Sequence, residues 1–373
     1  MMTIAVLGAG MVGSTIAIDL SSRHQVTSLD QNADQLKKLQ TRYPAVQIQP
    51  ADLGQADLSA ILAPYDLVIT AVPGFMGYQL LKQVIEAGKN VVDISFFPED
   101  ALELHELAIK KGVTAITDCG VAPGMSNLIA GHYDAHMEIL SFACYVGGLP
   151  VHPQPPFYYK APFSPVDVIQ EYLRPARLVE NGQLVTKPAL SDRELLDFGE
   201  AGTLEAFNTD GLRSLVYTMS HIPDMKEKTL RYPGHIDLII ALQQAGFFDT
   251  KPVMAADKQV IPLDLTSTLL LDQWKLQPGE PEFTVMKVIL SGPQQTITYS
   301  LLDYYDPATG FSSMARTTGF TCTAAAELLL QGLFNEKGVF PPEKLGAQAG
   351  CFQFILDYLA QRKVIWKKET ERK

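Results

Sequence analysis

One short segment in the middle of the chain places acids and an arginine close together. Residues 202–214 read GTLEAFNTDGLRS, with Glu205, Asp210 and Arg213 among turn-forming residues. These residue types suit a zwitterion, because a guanidinium binds a carboxylate through two hydrogen bonds and an acid binds an ammonium. A solvated turn with an ion pair of little energetic value is the alternative. The segment alone leaves both interpretations open.

A second chemical signal lies at the start of the chain. The run TIAVL predicts a buried strand, a glycine-rich turn follows at once, and STIAIDLSS has helical apolar spacing. In this context the first glycine permits a tight turn, the second lets a pyrophosphate approach, and the third allows close packing. The helix N-terminus offers free N–H groups to phosphates. We therefore predict a dinucleotide site that includes Gly8, Ala9, Gly10, Met11, Val12 and Gly13.

An acid follows the second predicted strand. Asp30 ends the run QVTSLD, 17 residues after Gly13. An acid at about this distance accepts hydrogen bonds from an adenosine ribose. Gln31 and Asn32 come next, with no arginine or lysine just after them to hold a 2′-phosphate. The sequence therefore favours NAD over NADP.

Strands and helices then alternate along the first third of the chain. The strand-like runs are VQIQPADL, DLVITAVP, NVVDISF and VTAITDCG, with helical segments between them. Such alternation predicts an α/β fold, with a doubly wound parallel sheet of the Rossmann type. Ligands bind at the carboxyl ends of the strands in such sheets. This rule adds further residues to the predicted cofactor site: Asp52, Leu53, Ala71, Val72, Pro73 and Ser95.

The alternation stops after residue 125. ILSFACYVGG looks like a strand, a proline-rich aromatic segment follows, and FTVMKVILSG and QTITYSLLDYYD predict antiparallel strands. We expect a dinucleotide domain over residues 1–125. An inserted α+β substrate and dimerisation domain, mainly antiparallel, is expected over residues 126–315. C-terminal helices are expected to return to the dinucleotide domain over residues 316–373.

Composition narrows the class of protein. The chain has 373 residues, 47% hydrophobic and 19% charged, and a net charge of −11, which argues against nucleic acid and anionic membranes as partners. It has no long uncharged apolar run and no basic leader. The four cysteines are far apart and form no zinc-type spacing. We therefore expect a cytoplasmic protein with reduced thiols and no metal.

Several motifs together are similar to those of a known family. They are VLGAGMVG, DCGVAPGMSNLIAG, YVGGLP, GTLEAFNTDGLRSL, KTLRYPGH and SMARTTG. With these motifs the chain resembles the saccharopine dehydrogenase family, and within it the lysine 6-dehydrogenases. The resemblance implies an NAD(P)-dependent enzyme that acts on an amino acid as a homodimer. Ala122 stands where saccharopine-handling members carry an acid, and the chain is short for them, so lysine is favoured over saccharopine.

The resemblance also implies which residues bind the substrate. Oxidation of lysine at C6 gives a semialdehyde and ammonia, and it requires an anchor for the distant amino-acid end. Arg213 and Arg231 are the candidates for binding the carboxylate, and Glu205 or Asp210 for binding the α-ammonium. Structural ion pairs are the alternative for all four.

Other residues are candidates for proton transfer or for lining the pocket. Asp93 and Asp118 are expected near the cofactor crevice, where one of them could hold the ε-ammonium or relay its proton. His235 is a candidate acid or base because its ordinary pKa is near neutrality, although a single histidine is more often structural. Tyr159 and Lys160 are candidate lining residues. Cys119 is interpreted as packing, because hydride transfer from an amine needs no thiol nucleophile.

Two alternative functions remain open at this level. One is reductive coupling of an amine with an aldehyde, of the saccharopine or carboxyspermidine type. The other is a non-catalytic NAD(H)-binding sensor.

Overall fold

The structure, a computed structural model, describes residues 1–162, 165–277 and 279–373. The elements of the first part of the chain are β1 (Thr3–Leu7), α1 (Met11–Ser21), β2 (Gln25–Asp30), α2 (Ala33–Arg42), β3 (Gln47–Pro50), α3 (Leu58–Leu62), β4 (Leu67–Thr70), α4 (Gly74–Glu86), β5 (Asn90–Asp93), α5 (His105–Lys111), β6 (Thr114–Ile116) and α6 (Met125–Asp134).

Those of the middle part are β7 (Ser141–Pro150), α7 (Pro165–Leu173), β8 (Ala176–Glu180), β9 (Gln183–Lys187), β10 (Glu194–Asp197), β11 (Thr203–Asn208), α8 (Leu215–Thr218), β12 (Asp224–Arg231), α9 (His235–Gln244), β13 (Val253–Ala255), β14 (Lys258–Val260), α10 (Pro262–Trp274), β15 (Glu282–Ser291) and β16 (Gln295–Tyr304). The last part contains α11 (Ser313–Leu330), β17 (Gly338–Phe340), α12 (Pro342–Ala347), α13 (Cys351–Gln361) and β18 (Trp366–Arg372).

The first sheet is parallel and is covered on both faces. Its strand order is β17-β6-β5-β4-β1-β2-β3. Ile4 and Val6 of β1 belong to one hydrophobic core, and Ala5 and Leu7 belong to another, because alternate side chains point to opposite faces. The doubly wound sheet predicted from the sequence is confirmed. Strand order reverses between β1 and β4, which is where such folds bind ligands.

The second sheet is mainly antiparallel. Seven of its strands follow the order β10-β11-β12-β7-β15-β16-β18, with β8 and β9 attached beside β12. Neighbours in this sheet run antiparallel except for β7 and β12, which pair in parallel. The α+β character expected for the middle of the chain is therefore confirmed.

The last part of the chain contributes to both sheets. Helix α11 packs on α1, and the Thr323 hydroxyl donates to Asp19 at 2.7 Å. Strand β17 extends the first sheet beside β6, whereas β18 pairs with β16 at the edge of the second. The sequence indicated only a charged end at β18, because almost all its side chains are charged or polar and exposed. The expected domain boundaries stay predictions.

No helix of the described residues is both long and apolar enough to cross a membrane. The four cysteines are buried free thiols. Burial, followed by the nearby Asp118 charge, raises the pKa of the Cys119 thiol far above its usual range, which agrees with a packing role.

Candidate active site

A cavity of about 460 Å³ lies at the switch point, between the two sheets. The first sheet supplies the N-terminus of α1 and the segments that follow β4, β5 and β6. The second sheet supplies residues of β7 and β12, and α7 and α11 close the sides. Cavities of this size at this position are typical of sites for small molecules and cofactors.

The three glycines of the first turn have three different surroundings. Gly8 has φ +107°, and a Cβ on it would lie 2.3 Å from the Ala71 carbonyl oxygen. A Cβ on Gly13 would lie 2.1 Å from the Gly8 oxygen. A Cβ on Gly10 would meet no atom within 4 Å. Gly8 and Gly13 therefore fix the turn against its neighbours, whereas Gly10 keeps the space beside the backbone open.

The Asp30 carboxylate lies beside the glycine turn. The Asp30 carboxylate accepts hydrogen bonds from the N–H of Ala9 at 2.7 Å and from the N–H of Asn32 at 2.8 Å. It is thereby fixed at the carboxyl end of β2, next to the N-terminus of α1. The open face of Gly10 and this carboxylate together fit a dinucleotide, with phosphates at the helix N-terminus and a ribose at the acid.

The other predicted cofactor residues divide into two groups. Met11, Val12 and Gly13 line the cavity with Gly10, as do Ala71, Val72 and Pro73 after β4.

Asp52, Leu53 and Ser95 do not line this cavity. Asp52 accepts the N–H of Gly54 at 3.0 Å within a turn. Leu53 belongs to a hydrophobic core, and Ser95 is 2% exposed beside α4. The proposed role of these three residues in cofactor binding stays a prediction.

Asp118 and Arg213 form a buried ion pair. Asp118 lines the cavity and accepts from Arg213 Nε at 3.2 Å and from Nη2 at 3.1 Å. Arg213 also donates to the Phe97 carbonyl and does not itself line the cavity. Its guanidinium is occupied by an acid and a carbonyl, so the structure does not favour Arg213 as the carboxylate anchor. The structural ion pair, weighed as the alternative, describes it better.

Arg231 lines the cavity, but it too has an acidic partner. Its Nη2 lies 3.1 Å from Glu171 Oε2, and its Nε donates to the Tyr172 hydroxyl at 2.9 Å. The guanidinium carbon lies 4.3 Å from the centre of the Tyr159 ring. A substrate carboxylate at Arg231 would therefore compete with Glu171. Lys160, the other candidate lining residue, donates to the Gln273 carbonyl and lies outside this cavity.

The two acids of the opening segment are paired with arginines other than Arg213. Asp210 lines the cavity and binds Arg177 through Nε at 2.8 Å and Nη2 at 2.9 Å. Glu205 is buried outside the lining and accepts from Arg193 Nε at 2.6 Å. Asp210 therefore remains within reach of a ligand, whereas the position of Glu205 does not favour a binding role.

Arg174, which was not among the residues predicted from the sequence, lines the cavity and carries a buried, unsatisfied donor. Its Nη1 has no hydrogen-bond partner among the described residues. Its guanidinium carbon lies 5.2 Å from the centre of the Phe96 ring. Burial, followed by the charge of Arg213, lowers the pKa of Arg174. Asp167, Glu171 and Arg174 recur at helical spacing, which was the available signal.

His235 lies in the aromatic core of the second domain and not in the cavity lining. Its Nδ1 donates to the Phe157 carbonyl at 2.8 Å, and its Nε2 accepts from the Tyr172 hydroxyl at 2.9 Å. Burial, followed by the Arg231 charge, lowers the pKa of His235 to about 3. A buried ring whose pKa is lowered in this way is poorly suited to act as the acid or base, so the structure does not favour the catalytic role considered for His235.

We expect His235 to make the free energy of unfolding decrease at low pH. In the folded protein its pKa is about 3, below the ordinary value of 6.5. Between pH 6.5 and pH 3 the unfolded chain therefore binds a proton that the folded protein does not, and the free energy of unfolding decreases as the pH is lowered. In this range the free energy of unfolding decreases by about 1.4 kcal/mol for each pH unit. Urea unfolding at several pH values should show that the free energy of unfolding depends less on pH in His235→Gln than in the wild type. Equal slopes would contradict this account.

Asp93 is likewise fully buried and does not line the cavity. It accepts from the Thr70 hydroxyl and from the N–H of Ser95 at 3.1 Å. Burial raises its pKa to about 7. These contacts hold the segment after β5 in place, which makes a supporting role more suitable than the catalytic one considered from the sequence.

The cavity lining is rich in acids. Among the described residues it contains five carboxyl side chains and two guanidinium groups, namely Asp118, Asp167, Glu171, Asp210, Glu227, Arg174 and Arg231. A lining with more carboxyl than guanidinium groups favours ligands that carry ammonium groups.

The parallel sheet and the glycine turn are features of the pyridine-nucleotide-binding class. Two family models match the chain. The model described as "Saccharopine dehydrogenase NADP binding domain" matches residues 4–116, and that described as "Saccharopine dehydrogenase C-terminal domain" matches residues 120–365. The chain therefore belongs to the saccharopine dehydrogenase family.

Individual relatives are more distant. The mitochondrial alpha-aminoadipic semialdehyde synthase of Mus musculus is 24% identical over 91% of this chain, which spans 45% of that protein. The NADP(+)-dependent, L-glutamate-forming saccharopine dehydrogenase of Schizosaccharomyces pombe is 26% identical over 78% of this chain and 82% of its own. The chain thus spans about half the length of the first of these relatives.

A solved structure shares the fold. The apo saccharopine dehydrogenase (L-Glu forming) from Saccharomyces cerevisiae matches with a TM-score of 0.80 at 20% identity, and all of both chains is covered. At this identity the likeness concerns the architecture alone.

Proposed function

We propose that this protein oxidises a carbon–nitrogen bond of a basic amino acid, with lysine as the first candidate, and transfers the hydride to NAD. The acid-rich cavity and the Arg174 Nη1, which has no hydrogen-bond partner among the described residues, support this proposal. It suits a substrate with a single carboxylate and two ammonium groups. Saccharopine carries several carboxylates, whereas the described residues of the lining include two guanidinium groups, of which Arg231 is paired with Glu171.

The residues of the cavity have separate binding roles in this proposal. Arg174 binds the α-carboxylate through its unsatisfied Nη1, and Asp210 binds the α-ammonium. Asp118 follows β6 near the carboxyl ends of the parallel strands, where the segments after β4 and β5 also line the cavity, and it attracts the ε-ammonium. The cavity thereby fixes both ends of an extended amino acid.

The reaction is balanced with water as co-reactant. The ε-ammonium first loses a proton to the protein, because hydride leaves from the carbon of a neutral amine. The bound dinucleotide supplies the hydride acceptor. Water then hydrolyses the substrate imine to a semialdehyde and ammonia, so that one proton is released overall in addition to the ammonium ion formed.

Asp30 supports NAD as the cofactor, although the S. pombe relative is named for NADP(+). A fixed carboxylate at this place repels a 2′-phosphate. We expect the wild type to bind NADH more tightly than NADPH, and Asp30→Asn to reduce that preference by about tenfold. Fluorescence titration with both nucleotides measures it. A wild type that prefers NADPH would refute the assignment.

Saccharopine-type chemistry is the second candidate function, and the names of the relatives support it. It would cleave a secondary amine to a semialdehyde and glutamate, or form that amine in reverse. A non-catalytic NAD(H) sensor remains the candidate of another class.

One set of assays separates these functions. The purified protein is supplied with NAD or NADP and with lysine, other basic amino acids or saccharopine, while NADH or NADPH absorbance and ammonia are followed. Lysine-dependent NADH with equal ammonia supports the first proposal. Saccharopine-dependent reduction with glutamate and no ammonia supports the second. Nucleotide binding without any turnover supports the sensor. The homodimer stays a proposal that light scattering tests.

A further inference from the structure

Oxidation of an ammonium substrate needs a group that accepts its proton. Three acids of the cavity are less suited, because each forms an ion pair with an arginine that protonation of the carboxylate would break. Asp118 binds Arg213, Glu171 binds Arg231, and Asp210 binds Arg177.

Glu227 has a different environment. It lies on β12, lines the cavity and is 5% exposed. No arginine or lysine of the described residues lies within ion-pair distance of it. The Thr209 hydroxyl donates to its Oε2 at 2.6 Å. A Cβ at Gly211 would come within 2.2 Å of the same oxygen, so the glycine provides the room that this carboxyl occupies.

Two hydroxyl groups connect Glu227 to a second point of the lining. The Thr209 and Thr229 hydroxyls lie 2.8 Å apart, and both residues line the cavity with Glu227. When Thr209 donates to the carboxylate, Thr229 donates to Thr209. This arrangement leaves the carboxylate as the final proton acceptor of a short hydrogen-bonded chain.

We propose that Glu227 is the catalytic residue that accepts the proton of the substrate's reacting ammonium. The inference rests on the proposed amine oxidation. An N–H bond of the ammonium breaks and an O–H bond forms on the carboxylate, so that a neutral amine and a neutral carboxyl result. No electrons are transferred in this step. The proton passes to solvent after the hydride has left the substrate.

The electrostatic surroundings of Glu227 suit this role. Burial raises its pKa to about 8, against the lowering effect of the Thr209 hydrogen bond. The charges of Glu171 on α7 and Asp210 after β11 raise it further, and the neighbouring Cys144 on β7 is a buried thiol. A carboxyl of this pKa both accepts and releases a proton near neutral pH.

The test compares two isosteric variants. Glu227→Gln removes the proposed acceptor. Glu282→Gln is the matched control, because Glu282 is also a buried carboxyl of the second sheet, with its pKa raised by burial to about 7, but does not line the cavity. Rates of amine oxidation are measured from pH 6 to pH 10, with nucleotide binding and thermal unfolding as checks on folding.

For the wild type we expect kcat to rise with pH and to level off above about pH 8, because the base must be ionised. Glu227→Gln should lower kcat by about 100-fold, leave KM nearly unchanged and remove the dependence on pH. Glu282→Gln should keep the wild-type rate and profile. Added formate should restore part of the rate of Glu227→Ala, which a purely structural role would not allow.

These experiments distinguish a failure of the Glu227 assignment from a failure of the proposed function. A Glu227→Gln variant with the wild-type rate and pH profile overturns the assignment while the proposed function stands. Equal losses in both glutamine variants, with no rescue of Glu227→Ala by formate, also overturn it. If the wild type turns over no basic amino acid at any pH, the proposed function fails and this inference fails with it.

Discussion

Replacing Gly10 by alanine is expected to weaken dinucleotide binding by about 100-fold, or about 2.7 kcal/mol, while stability stays unchanged. The backbone of Gly10, with φ −64° and ψ −174°, is accessible to alanine, so the substitution introduces no strain. Its Cβ would meet no protein atom within 4 Å and would project into the space left for the pyrophosphate. Fluorescence titration with NADH measures the affinity, and thermal unfolding measures the stability.

Gly13→Ala is the matched control for this prediction. Its Cβ would lie 2.1 Å from the backbone oxygen of Gly8, so α1 and the turn must move apart. We expect a loss of about 1–3 kcal/mol in the free energy of unfolding, together with weaker binding. Unchanged NADH affinity in Gly10→Ala would show that the pyrophosphate does not approach this turn.

The first sheet could be predicted because its signals are local in sequence. Each buried strand is a short apolar run, and the glycine turn lies between a strand and a helix in the required order. Asp30 could be placed for the same reason, since it ends one of these runs. The mainly antiparallel second sheet followed from alternating runs such as β15 and β16.

The arginines of the site could not be assigned, because the residues that pair with them are distant in sequence. Arg213 lies 95 positions from Asp118, and Arg231 lies 60 positions from Glu171. The opening segment does contain a cavity acid, Asp210, but its acids and its arginine pair with other parts of the chain. Composition and spacing show that such groups are present, whereas only the fold determines which charges neutralise each other.

Helix α7 was missed for a related reason. It follows a proline-rich segment whose composition predicts irregular structure, and its acids and Arg174 resemble an ordinary solvated face. Its polar side chains face a cavity only because α7 packs beside the second sheet. The helical spacing was visible in the sequence, but the surface that the helix covers was not.

Replacing Arg174 by methionine is expected to raise KM for the amino acid by about 100-fold, because a charge-assisted hydrogen bond to a buried carboxylate is worth about 2–5 kcal/mol when one partner is removed. Methionine retains much of the apolar contact with Phe96. NADH affinity should not change. Because Arg174 Nη1 has no hydrogen-bond partner among the described residues, the free energy of unfolding should change by no more than about 1 kcal/mol.

Arg213→Met serves as the comparison, because we expect it to lower stability and to leave KM nearly unchanged. It leaves the buried Asp118 carboxylate without its guanidinium, which costs about 3–5 kcal/mol of stability. Kinetics with the basic amino acid and urea unfolding of both variants therefore separate a ligand anchor from a structural ion pair. If Arg174→Met keeps the wild-type KM while Arg213→Met raises it without loss of stability, the substrate carboxylate binds Arg213, as the sequence alone suggested.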